Sequence, residues 1–129
     1  MQKRLLGVAV AVIMAIGITV KAQYDRDYFY YVGRSFMIAN NFEDAIRTLN
    51  ILLRFDDDAY EGYFLRGIAK YNLDDLLGAE ADFTTAINKN PVFTTAFTYR
   101  AITRSRLGNY DDALSDFEEA IELRPDIPN

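Results

Sequence analysis

Slid along itself by 34 positions, this chain falls into register three times without a gap. Ala45, Ala79 and Ala113 coincide, as do Leu49, Phe83 and Phe117. Gly33, Gly67 and Ala101 form a third column, and Leu52, Ala86 and Ala120 a fourth. Asn41, Asp75 and Asn109 align, and Asp57, Pro91 and Pro125 fall near the ends of the units, which run 26–59, 60–93 and 94–127. A period of this length means one supersecondary unit per repeat. A single unit cannot bury its apolar face, but stacked neighbours can.

Within a unit the spacing is helical. In the second, Tyr63, Phe64, Gly67, Ile68 and Tyr71 share one face of a first helix. Asp75 then stands where a carboxylate can accept the orphan N–H groups of a new helix, and Asn41 and Asn109 offer the same cap in the other units. Leu76, Ala79, Phe83, Ala86 and Ile87 form the stripe of the second helix, and Pro91 cannot continue it. Gly67, Ala79 and Ala86 let the two backbones approach closely, with Phe83 filling the wedge between them. The expected fold is all-α: a right-handed solenoid of three helix-turn-helix hairpins behind an N-terminal signal segment. Its last helix is expected at about 110–123.

The period and its landmarks resemble the tetratricopeptide repeat. Its pattern is an aromatic, a large residue followed by Gly, a second aromatic, then Ala-x-x-x-Phe and a later Pro. It reads here as Phe29, Val32, Gly33, Phe36, Ala45 and Leu49, and again as Tyr63, Arg66, Gly67, Ala79, Phe83 and Pro91. The third copy is Phe97, Arg100, Ala101, Ala113, Phe117 and Pro125. Lys70 and Arg104 depart from the second aromatic, and Asp57 from the Pro.

The resemblance implies protein or peptide binding, with the first helix of each unit lining a concave groove. Unit one would contribute Asp27, Tyr30, Arg34, Met37 and Ile38. Unit two would add Glu61, Phe64, Ile68, Tyr71 and Asn72, and unit three Thr95, Thr98, Ile102, Ser105 and Arg106. The sharpest candidates among them are Tyr30, Arg34, Phe64, Ile68, Tyr71, Asn72, Thr98 and Arg106, while apolar members serve equally well as inter-unit packing. Co-chaperone members of the family grip a C-terminal carboxylate with Lys, Asn and Arg. Here the matching positions hold Tyr30, Arg34, Leu65, Thr95 and Tyr99, so that clamp is missing. Aromatics with mixed charge suit an extended or helical segment with apolar anchors instead. Tyr28 and Tyr31, beside Tyr30, read either as the cap of unit one or as binding surface.

Composition removes other classes. The chain has no Cys and no His, which excludes disulfides, thiolate metal sites, the commonest general base and the commonest transition-metal ligand. Ser35, Ser105 and Ser115 therefore lack a histidine base, no glycine-rich phosphate loop is present, and no enzymatic activity or cofactor is expected. Lys70 and Lys89 read as isolated and exposed. Asp56, Asp57 and Asp58 lack the alternate spacing of a calcium loop and read as a solvated connection. Asp74–Asp75 and Asp111–Asp112 suit helix starts, and Glu118, Glu119 and Glu122 an outer polar face. The net charge is −5, and −8 once Lys3, Arg4 and Lys21 are set aside, so no nucleic-acid partner is expected.

Those three cations flank the 16-residue uncharged run Leu5–Val20. With Val20 and Ala22 at the positions a signal peptidase reads, residues 1–22 resemble a secretory signal peptide cleaved before Gln23. A retained membrane anchor is the alternative, though the run falls short of the ~20 residues of a full span. The Ala22–Gln23 junction resembles those of exported proteins of Gram-negative bacteria, so the expected location is the periplasm or cell envelope. At the other end, Leu114, Phe117, Ala120 and Ile121 of the last helix are expected to be only partly covered by its partner helix. A longer array, self-association or a partner protein would each complete that face. The expected function is an exported repeat protein that binds a protein or peptide in its groove. The alternative is a structural spacer or oligomerisation module with an idle groove.

Overall fold

The computed structural model of the chain describes residues 26–124. Six helices follow one another: α1 (Arg26–Ile38), α2 (Phe42–Phe55), α3 (Tyr60–Asn72), α4 (Leu76–Lys89), α5 (Thr94–Arg106) and α6 (Tyr110–Glu122). No strand occurs among the described residues, and α1/α2, α3/α4 and α5/α6 pair as hairpins, one per 34-residue unit. The fold is the all-α helical-repeat solenoid that the periodicity predicts. The expected signal segment 1–22, Pro125 and the closing residues lie outside the described residues.

The three turns inside the hairpins are built alike. The backbone N–H groups of Asn41, Asp75 and Asn109 donate to the carbonyls of Phe36, Lys70 and Arg104, each at 2.9 Å. This six-to-one closure ends a helix by placing one residue in the left-handed region. Asn40 (φ 55°), Asp74 (φ 66°) and Gly108 (φ 83°) take that position. Asn and Asp tolerate it better than other non-glycine residues. The next residue starts the second helix. Asn41 Oδ1 accepts from the N–H of Asp44 at 3.4 Å, and Asp75 Oδ1 from that of Gly78 at 3.0 Å. Asn109 makes no side-chain cap, contrary to expectation, so α6 begins on the acidic first turn Asp111–Asp112 alone.

Close approach decides the hairpin geometry. A Cβ placed on Gly67 would lie 2.7 Å from the Phe83 ring, so glycine is what lets the fully buried ring slot between α3 and α4. Gly33 repeats the arrangement against Leu49, at 2.9 Å from a methyl end. Ala45, Ala79, Ala86, Ala96 and Ala101 are buried where helices meet.

A second set of contacts ties the hairpins together. Asp82, on α4, accepts from Arg66 Nε and Nη2 on α3 at 2.8 and 2.7 Å, and pairs with Lys70 at 3.0 Å. Arg66 Nη1 reaches back to Asn50 of α2 at 2.9 Å. One repeat later, Asp116 on α6 accepts from Arg100 at 2.9 and 2.7 Å and from Arg104 at 2.9 Å. Arg100 in turn donates to Thr84 of α4 at 3.1 Å, and Arg104 to Glu80 at 2.8 Å. Both aspartates are only 4% exposed. Burial opposes the Arg104 charge, but its hydrogen bond to Glu80 and the field of Asp116 outweigh that and raise its pKa. Lys70 is thus half-buried and paired rather than isolated, and Lys89 likewise meets Asp58 at 3.0 Å. Side chains 12 and 31 residues apart in sequence become neighbours only in the fold, Lys70 and Asp82 when α3 and α4 close their hairpin, and Lys89 and Asp58 when units one and two stack.

The last helix leaves apolar surface as expected, with Leu114 58% and Ile121 72% exposed. Ala120 departs from the expectation. It is buried, because its short side chain lies within reach of α5.

Candidate functional site: the face of α1, α3 and α5

Which helices form the inner face follows from their contacts. α1 touches α3, and α3 touches α5, whereas α2, α4 and α6 make no such contacts with one another. Helices that meet along a stack while their partners splay apart line its concave side. The three inner helices run parallel, so their N-terminal ends share one rim and their C-terminal ends the other.

On this face Tyr30, Ile68, Tyr71 and Thr98 are half-buried, and Arg34, Asn72 and Arg106 are exposed. The structure brings two predicted residues from different units together. The Arg106 guanidinium lies 4.9 Å from the centre of the Tyr71 ring and bonds Asp74 at 2.7 Å. Its pKa is raised, first by the hydrogen bond to Tyr71, with smaller contributions from the Tyr71 phenol's charge and from Asp74 that together outweigh desolvation. Asn72 and Thr98 spend their donors on their own helix, reaching the carbonyls of Ile68 (2.9 Å) and Thr94 (3.3 Å).

Phe64 stands apart from the other candidates. Its ring packs against Phe93 (4.8 Å between centroids), Tyr99 (5.4 Å) and Phe83 (5.9 Å). It therefore belongs to the aromatic cluster that joins units two and three. Sequence spacing places Phe64 on the inner helix but does not show that Phe93, from the next connection, lies over it.

A recess of about 200 Å³ opens at the N-terminal rim between units one and two. Tyr30 and Tyr31 wall it, with ring centroids 5.5 Å apart and nearly perpendicular planes. Leu52 and Ala59 form its floor, and Asp27 and Glu61 stand at its mouth. Arg26 also lines it, with Nε 2.8 Å from Asp56. Glu61 accepts a hydrogen bond from Tyr60, which, with its charge and burial of the phenol, raises the Tyr60 pKa. Ala59 and Leu52 escaped sequence reading as site residues. The signal was available, since Ala59 is the small residue in the column where unit two has Phe93.

Comparison with known proteins agrees with this architecture. Two family models, each described as tetratricopeptide repeat, match residues 32–92 and 95–127. The chain is similar to Hsp70-Hsp90 organizing protein 2 of Arabidopsis thaliana, 38% identical over 61 residues, or 47% of this chain and 11% of that protein. It spans about a tenth of the length of the curated relatives it matches. Among solved structures it resembles the first repeat domain of Spaghetti (RPAP3) bound to the HSP90 peptide SRMEEVD. That match has a TM-score of 0.77 and 22% identity, covering 80% of this chain and 82% of the other. MamA also matches at a TM-score of 0.77, with 25% identity over 96% of this chain and 73% of that one.

Proposed function

The chain belongs to the tetratricopeptide repeat family, and on that premise we propose that it binds a protein or peptide segment along the face of α1, α3 and α5. The observation that carries this reading is the row of partly exposed aromatic and apolar side chains on that face. Tyr30, Ile68 and Tyr71 keep surface that the core does not claim, between an acidic rim at Asp27 and Glu61 and the cations Arg34 and Arg106. Apolar anchors set among mixed charges suit an amphipathic or extended segment. The RPAP3 domain, similar in fold, was solved with a peptide bound. That peptide is acidic. Because the carboxylate-gripping positions here hold Tyr30, Arg34, Leu65, Thr95 and Tyr99, the ligand of this chain is of another kind.

The test is selection of binders from a displayed random peptide library, followed by titration of the selected peptides. Tyr30→Ala with Tyr71→Ala should weaken binding about tenfold or more, with unchanged helicity and a melting temperature close to the parent. Phe64→Ala is the wrong probe, since it also removes packing against Phe83 and Phe93. Failure to enrich any peptide, or equal binding by the double variant, would defeat the reading.

The proposed setting is the cell envelope, after export and removal of residues 1–22; no nucleic acid or cofactor enters the proposal. No described helix is long and apolar enough to cross a membrane. Support comes from the basic start, the uncharged run and the small residues before Gln23. Mass spectrometry of the native protein should find Gln23 as its first residue; an intact Leu5–Val20 run would instead assign it to a membrane anchor. A second reading, an oligomerisation module, rests on the exposed Leu114 and Ile121 of α6.

A further inference from the structure

The recess between units one and two has a counterpart one repeat later, and the two differ in a way that points to a ligand. In the 34-residue register Ala59 matches Phe93, Arg26 matches Tyr60, Tyr30 matches Phe64 and Glu61 matches Thr95. At the second junction the Phe93 ring packs 5.2 Å from Tyr60 and 4.8 Å from Phe64, occupying the space. At the first junction Ala59 leaves that space open. The backbone is the same at both, with φ/ψ of −68°/85° at Ala59 and −79°/79° at Phe93. The opening is thus a local feature of unit one and not a general property of the repeat.

Its chemistry is equally local. The floor is apolar, and two electron-rich Tyr rings stand at the wall. Arg26, the one cation lining it among the described residues, is held by Asp56, while Asp27 and Glu61 add two carboxylates at the mouth. A slot with an apolar stem site, aromatic faces and a net acidic mouth matches a long cationic side chain. Methylenes cover the floor, and the charged head meets ring faces and carboxylates. An acidic side chain would meet repulsion there, and a neutral aliphatic one would leave the carboxylates unanswered.

We propose that the recess formed by Tyr30, Tyr31, Leu52 and Ala59, with Asp27 and Glu61 at its mouth, anchors a lysine or arginine side chain of the bound segment. This deepens the groove-binding reading and rests on it for the segment, but the anchor is testable without any selected peptide. The probes are N-acetyl-lysine methylamide and N-acetyl-arginine methylamide. N-acetyl-norleucine methylamide serves as the neutral control. Each is titrated into the full chain while the ring resonances of Tyr30 and Tyr31 are followed by NMR.

The cationic amides should shift those rings saturably, and norleucine should bind about tenfold more weakly or not at all. Glu61→Gln and Asp27→Asn should each weaken lysine about three- to five-fold, with less effect as salt rises. Ala59→Phe imports the side chain that the second junction already accommodates, so the fold should hold while the cation effect disappears. Norleucine binding as well as lysine, or Ala59→Phe leaving lysine binding intact, would overturn the proposal. So would a cation effect seen only after Lys21→Ala, which would assign the recess to the chain's own segment. Library selection that enriches peptides without a basic residue would sink the anchor while sparing the groove. An anchor that binds lysine amide while no peptide is enriched would do the reverse.

Discussion

At the scale of single residues, two positions show how much depends on what faces a side chain. Gly67 and Gly33 occupy the same column, yet their partners differ. Both partners are fully buried, but the Phe83 ring opposite Gly67 can move only as a whole, while the Leu49 methyl opposite Gly33 ends a chain that can turn. Alanine improves helix propensity by about 1 kcal/mol at either site. At Gly67 the clash should outweigh that gain, for a net loss of about 1–2 kcal/mol, whereas Gly33→Ala should be near neutral. Urea unfolding of both variants checks the contrast, and equal effects would contradict it. Asp116 makes the same point for charge. It satisfies Arg100 and Arg104 together, and Asp116→Asn leaves the half-buried Arg100 without a counter-charge and Arg104 with Glu80 alone. A loss of about 3 kcal/mol is expected. Removing Asp74 from its exposed pair with Arg106 should cost far less, because solvent screens both groups.

At the scale of elements, helix starts and stack position matter most. Asp75 accepts a backbone N–H at the start of α4, but Asn109 at the start of α6 accepts none through its side chain. Asp75→Ala should therefore cost about 1 kcal/mol, and Asn109→Ala only a few tenths. Thermal unfolding of the pair decides this. The stack adds a gradient. α3 and α4 are packed on both sides and held by Asp82, while α6 meets only α5 and leaves Leu114 and Ile121 in water. Amide exchange should be slowest in α3 and α4 and fastest in α1 and α6. Uniform protection across the six helices would show that the units do not behave as a nearest-neighbour stack.

At the scale of the whole molecule, the ion ladder and the groove are linked. Arg66 and Arg100, each held by an aspartate of its own hairpin (Asp82 and Asp116), reach back to Asn50 and Thr84 of the preceding hairpin, which ties neighbouring units together and so shapes the face that the inner helices present. Unit one carries none of this ladder, having Val32, Phe36 and Thr48 in the same three columns. The first junction, which carries the recess, is therefore held mainly by apolar packing, by Arg66 reaching Asn50 and by the exposed Lys89–Asp58 pair. Self-association belongs to this scale too. Leu114→Lys with Ile121→Lys alters only exposed positions, so monomer stability should barely change, while any concentration-dependent assembly seen by sedimentation should dissociate. Assembly that persists would place the contact elsewhere.

The sequence by itself determined the helical hairpins, their 34-residue register and the turn positions, because each is written as local spacing or as a column repeated three times, whereas the inner helices followed only from the family resemblance. The ladder was legible only as three columns changing together: Val32, Phe36 and Thr48 give way to Arg66, Lys70 and Asp82, then to Arg100, Arg104 and Asp116. No local pattern says that residues 16 apart will touch. The tertiary structure alone decided that Phe64 is half-buried against Phe83, Phe93 and Tyr99, that Arg106 lies against Tyr71, that Lys70 is paired, and that Ala59 leaves a recess where Phe93 fills one. Each of those outcomes depends on which side chains from different helices meet, and on the space left when one of them is small.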